Sequence, residues 1–154
     1  MSAPTVYDDV EAMAKACAKT VAAAHATVIS KTTNIRAAGD VSSTRALPGI
    51  SIDCLANKAI PGDCVEYHGV MEWNCETKAP IDTTGDNVDQ LVGAVRDMLN
   101  DGNFLASMNV QGVVQGIVFH EFREAQTVRD DDEEGKIRRR VVQADFWCYP
   151  GAVS

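Results

Sequence analysis

Asp82-Thr83-Thr84-Gly85-Asp86-Asn87-Val88-Asp89-Gln90-Leu91-Val92-Gly93-Ala94-Val95-Arg96-Asp97-Met98-Leu99 carries a start signal, an apolar stripe and a stop signal that agree. Asp82, Thr83 or Thr84 can cap a helix, and Asp86 adds a negative charge where the helix dipole favours one. Val88, Leu91, Val92, Val95, Met98 and Leu99 form one stripe, with Asn87, Asp89, Gln90, Arg96 and Asp97 facing away. Asn100-Asp101-Gly102 ends the run, because glycine can take the left-handed conformation that closes helices. No nucleophile, general base or metal-ligand set lies within this helix, so its role is structural.

Strand-like sequence flanks it on both sides. Gly49 to Leu55 alternates in part, and Cys64 to Glu76 alternates more fully. In the second run Glu66, Glu72, Asn74 and Glu76 share one parity, while Val65, Tyr67, Met71, Trp73 and Cys75 share the other. One face is wet and the other dry, as in an antiparallel sheet covered on one side. Pro61-Gly62-Asp63 is turn chemistry between the two runs and predicts a hairpin. After the helix, Phe104, Leu105 and Met108 predict a further short turn. Two strands follow, at about Val113 to Thr127 and Ile137 to Tyr149, with an acidic tip between them.

Upstream, Val6, Val10, Met13, Cys17 and Val21 recur at three- to four-residue intervals among many alanines, which predicts a helix from Thr5 to about His25. Val28-Ile29-Ser30 predicts a short strand. Ser30 to Pro48 reads as a long polar loop carrying Arg36 and Arg45. The order helix, hairpin, helix, hairpin makes this an α+β chain. The expected architecture is an antiparallel sheet built from two hairpins with two main helices packed on one face. All 154 residues are expected to form one domain, with a long loop at about 30–48 and an extended hairpin at about 113–149.

Composition narrows the function classes. A net charge of −8 opposes nonspecific gripping of nucleic acid, which depends on neutralising phosphates. The start, Met-Ser-Ala-Pro-Thr, lacks the basic and apolar regions of a secretory signal, and no run reaches the length of a membrane span, so synthesis in a cytoplasm and no membrane partner are expected. Five cysteines without short spacings point to buried free thiols rather than a disulfide framework or a zinc knuckle. Cys64, Glu66 and His68 could contribute to a zinc site, and the acidic run Asp130 to Glu134 could hold a hard cation, but neither has a recognised ligand spacing. Glycine-rich phosphate loops and nucleophile elbows are missing. The reading is therefore no catalytic residue, no cofactor and no metal, with a small metal- or thiol-dependent enzyme as the distant alternative.

From Ile81 to Leu99 the chain resembles the tail terminator proteins of long-tailed bacteriophages, also called tail completion or tail-to-head joining proteins. In that family an acidic, small-residue helix start follows a strand, and a C-terminal strand pair follows the helix. The resemblance extends over Gly49 to Tyr149 in element order and size. It implies a homo-oligomeric ring, usually of six copies, at the head-proximal end of the virion tail. The ring's partners would be the tail tube protein and the head connector or neck protein, with DNA passing through the centre without specific binding. A head-closure or neck adaptor of the same virion is the nearest alternative. On this view the Ser30 to Pro48 loop and the 123–140 hairpin reach neighbouring chains. Arg36, Arg45, Arg123, Arg129, Asp131, Glu133, Arg138 and Arg140 are then the candidate interface residues.

Overall fold

The computed structural model describes residues 6–37, 47–58, 66–131 and 134–150. Helix α1 (Val6–Ala24) and the single turn α2 (Ala26–Ile29) precede a short strand β1 (Ile35–Ala37) and the long strands β2 (Gly49–Lys58) and β3 (Tyr67–Lys78). Helices α3 (Asp86–Leu99) and α4 (Phe104–Gln115) follow, then strands β4 (Ile117–Arg129) and β5 (Ile137–Pro150). The strands form one sheet in the order β1-β2-β3-β5-β4.

The α+β class holds, but the sheet is mixed rather than purely antiparallel. β1 runs parallel to β2, while the β2–β3, β3–β5 and β4–β5 pairs are antiparallel. β1 lies inside the stretch read as loop. Three residues are too short to show a period, and the strand exists because β2 offers it an edge, with Ile35 opposite Ile50. The strand expected at Val28-Ile29-Ser30 is instead the end of α2. Its β-branched residues are overruled by packing: Val28 is fully buried, and Thr27 donates its hydroxyl to Asp97 on α3 at 2.8 Å.

The short turn expected after α3 is a 12-residue helix, and Val113, placed at a strand start by its sequence, lies within it. Gly116 closes α4 in the left-handed region at φ 81°, with its N–H bonded to the Gly112 carbonyl at 2.7 Å, and the strand begins at Ile117. Gly112 is required for close approach, because a Cβ there would collide with the Ile117 carbonyl oxygen. Asn109 then serves as a surrogate strand: its side-chain amide donates to the Phe119 carbonyl and its oxygen accepts from the Phe119 N–H, both at 2.8 Å. This pairing sits beside a register shift in β4 between Phe119 and Glu121, one of two irregularities on that edge strand.

Parity explains how the helices cover the sheet. Ile50, Ile52 and Cys54 of β2 lie opposite Cys75, Trp73 and Met71 of β3, and the latter two lie opposite Val142 and Ala144 of β5. All are buried, and they form one core with Val10, Cys17, Leu91, Met98 and Met108 of the helices. Helix α1 packs on β2, α3 on β3 and β5, and α4 on β4. The opposite face carries Asp53, Leu55, His68, Glu72 and Gln143, and no described helix covers it.

The α3 start shows how the expected cap works. Asp82 is 3% exposed and accepts hydrogen bonds from the Thr77 hydroxyl at 2.8 Å, Asn87 N–H at 3.1 Å and Val88 N–H at 3.0 Å. It reaches the helix from three residues ahead of the cap position, where Gly85 turns the chain at φ 82°. Burial opposes the Asp82 charge, but the bonds from Asn87, Thr77 and Val88 outweigh it and hold the carboxyl below its ordinary range. Arg138 locks the same turn to β5 by donating to the carbonyls of Asp82 at 2.6 Å and Thr83 at 2.8 Å.

Candidate functional site

The β4–β5 hairpin gathers several of the candidate interface residues into one ionic network. Asp131 accepts from Arg129 at 2.9 Å, from Arg140 at 2.7 Å and from the Arg139 N–H at 3.0 Å. Burial works against its charge, yet these three donors hold its pKa down to about 2. Arg140 also approaches Asp89 on α3 at 4.0 Å. On the uncovered face of the sheet Glu76, 1% exposed, lies between Arg36 at 3.3 Å and Arg139 at 2.8 Å, and Arg139 continues to Asp130 at 3.4 Å. Burial disfavours the Arg139 charge, but Glu76 and Asp130 keep its pKa above the ordinary guanidinium value.

The candidate residues therefore fall into distinct groups. Arg36, Asp131, Arg138 and Arg140 are engaged within the chain, joining β1, β5 and the α3 start to their neighbours. Arg123 and Arg129 are 69% and 68% exposed, each paired with an acidic residue two positions away, Glu121 and Asp131. Ion pairs this exposed contribute at most about 1 kcal/mol and leave both guanidinium groups accessible. Arg45 and Glu133 lie outside the described residues, as do Cys64 and the Pro61-Gly62-Asp63 turn.

A second surface went unread in the sequence. Helix α4, Phe-Leu-Ala-Ser-Met-Asn-Val-Gln-Gly-Val-Val-Gln, has no ionisable side chain. Phe104, Met108 and Gly112 face the core, while Val110, Val113 and Val114 are 65%, 76% and 76% exposed on the other side. Between this ridge and the end of α1 runs a groove of about 260 Å³ lined by Thr20, Val21, Ala24, Ser107 and Gln111. The usable signal was the helical recurrence of Phe104, Met108 and Gly112 up to Gly116. The Val113-Val114 pair, with its β-propensity, obscured it.

Among the described residues, the thiols and imidazoles occupy ordinary structural positions. Cys17, Cys54, Cys75 and Cys148 are buried free thiols, and burial pushes Cys17 up to about 11 and Cys148 up to about 12. Cys54 and Cys75 are raised further by the same cause, so all four stay protonated and poorly nucleophilic. His68 stacks on Trp147 with ring centroids 4.4 Å apart and stands 4.0 Å from Asp145. His25 meets Asp101 at 3.2 Å, and His120 meets Glu66 at 3.0 Å. Among the described residues no three His, Cys, Asp or Glu side chains are grouped so as to hold a metal ion. None of the helices among them is long and apolar enough to cross a membrane.

No protein-family model matches the chain, and no curated protein matches it in sequence.

Proposed function

We propose that this chain is a structural subunit of a bacteriophage tail, assembling into a ring that caps the tail tube, joins it to the head and leaves a channel for DNA. The observation that carries the reading is the order of elements around α3. A strand, β3, leads into the acidic, glycine-containing start at Asp82 to Asp86, then α3, and the chain closes with the β4–β5 pair. This order agrees with the resemblance borne by Ile81 to Leu99.

The exposed valines of α4 support an assembly role, because an uncharged apolar ridge on a surface helix marks a site of association. The net charge of −8 suits a lumen through which DNA slides without being held. On this reading the protein is not an enzyme, and it resides at the head-proximal end of the tail.

Native mass spectrometry and negative-stain microscopy of the purified protein, alone and with its tail tube protein, test the proposal. A ring of defined copy number, six being expected, supports it. Monomers alone under both conditions overturn it.

A further inference from the structure

Helix α4 and the end of α1 present a ridge and a groove side by side. The ridge is made of Val110, Val113 and Val114, all exposed. The groove, about 260 Å³, is walled by Thr20 and Ala24 of α1 and by Ser107 and Gln111 of α4. Val110 belongs to both, because it lines the groove as well as standing on the ridge.

Charge decides which surface can meet a second copy. With a net charge of −8, two copies repel wherever their acidic side chains come together. The outer face of α3 exposes Asp86, Asp89 and Asp97, and the uncovered face of the sheet sets Asp53 directly opposite Glu72. Neither can be laid against itself without bringing like charges together. Helix α4 has no ionisable side chain, and the one such group lining the groove, His25, already meets Asp101 at 3.2 Å. This surface loses nothing to self-repulsion and buries apolar area when paired with its own kind.

Geometry then fixes the symmetry. Ridge and groove share Val110 and lie on one surface, so a copy that seats its ridge in another's groove must face it. A two-fold axis beside Val110 seats both ridges at once, which is an isologous contact. The small side chains of Ala24 and Ser107 leave room for the valines at the usual helix spacing of about 8–10 Å. Two helices about 18 Å long and about 20 Å across together cover about 360 Å² per copy, under half of the roughly 800 Å² of a standard stable interface. The contact is therefore reversible and depends on concentration.

We infer that two copies of this chain pair through α4 about a two-fold axis, the valine ridge of each lying in the α1–α4 groove of the other. This contact closes at two copies and does not rest on the ring reading; within a ring assembly it joins two rings face to face rather than neighbours in one ring. Sedimentation velocity of the full chain, from the micromolar into the millimolar range, reads the dimerisation midpoint. Val113→Glu with Val114→Glu places carboxylates in the contact without partners, and Ala24→Trp fills the groove. Each change is at an exposed position, and circular dichroism melts confirm that the variants fold. Each is expected to raise the midpoint at least about tenfold. Val110→Cys is expected to give a disulfide between the two copies at position 110 on mild oxidation, identified by peptide mass spectrometry. Leu55→Cys, on the uncovered face of the sheet and 66% exposed, is expected to give none.

A wild-type chain that stays monomeric throughout overturns this inference, and so does a dimer that neither the paired glutamates nor Ala24→Trp weakens. A link at position 55 as ready as that at 110, or no link at 110, overturns it too. Dimers that never become rings, with or without the tail tube protein, leave this inference standing and overturn the ring reading. Rings whose copies do not link at position 110 do the reverse.

Discussion

Helices α3 and α4 lie side by side in the chain, cover the same sheet and bury comparable apolar faces, yet they differ in what they show outward. The outer face of α3 carries the charged, exposed Asp86, Asp89, Arg96 and Asp97, of which Arg96 pairs with Glu124 at 2.7 Å and Asp97 accepts from Thr27 at 2.8 Å. The outer face of α4 carries the exposed, apolar Val110, Val113 and Val114. Their starts differ as well: α3 is capped by a buried carboxylate, whereas the cap residue of α4, Asn103, makes no side-chain cap bond. A helix with a charged outer face thus stands next to one whose outer face is apolar.

The inner faces provide the first way to break this comparison. Leu91→Ala in α3 and Met108→Ala in α4 remove side chains that are 2% and 0% exposed, and each is expected to cost about 2–5 kcal/mol in urea denaturation. A cost for Met108→Ala near zero would mean that α4 is not docked. Gly112→Ala sharpens the point, because its methyl meets the Ile117 backbone. A loss of about 1–3 kcal/mol is expected, while Gly93→Ala in α3, where a Cβ has open space, is expected to be neutral or stabilising.

The helix starts come next. Asp82→Ala is expected to cost about 1–2 kcal/mol, and Asn103→Ala under about 0.5 kcal/mol. The Asp82 contribution also has a pH signature. Its pKa is lowered by folding, so the stabilisation is present above the ordinary carboxylate pKa of about 3.9 and is lost as the pH falls through the folded value. The gap between wild type and Asp82→Ala in thermal melts should therefore narrow below about pH 4, and a constant gap would refute the charged-cap account.

The smallest effect on stability is expected at the outer valines. Changing Val113 and Val114 together to Gln should shift folding by no more than about 0.5 kcal/mol per site while weakening association, read by light scattering. Unchanged association would mean that the ridge meets nothing.

Most of the local structure was legible in the sequence, for reasons tied to particular residues. The stripe from Val88 to Leu99 and the parity of Tyr67 to Cys75 survive because period and burial agree, with Val88, Leu91, Val95 and Met98 buried and Val92 and Leu99 partly so. Reading failed where tertiary packing opposed propensity. Val28-Ile29 enters a helical turn because Val28 fits under α1 and α3, and Val113-Val114 stays helical because Asn109 and Gly112 bind α4 to the start of β4. β1 was invisible, since three residues become a strand only beside an existing edge.

The site was less legible than the fold. The arginines were correctly seen as conspicuous, but a sequence does not reveal that Arg138 would be used to fix the α3 start or that Arg36 would sit against Glu76. Long-range pairing between residues 40 or more positions apart has no local signature.

The sequence by itself determined the α+β class, the capped α3, the one-sided sheet and the acidity of the chain, because periodicity, capping and charge are local or additive. Only the tertiary structure decided that the sheet is mixed, that α4 is a full helix with its valines outward, and that Arg138 ties the start of β5 to the α3 start. Those features depend on which distant segments come to lie together, and that is set by packing of the whole chain rather than by any stretch within it.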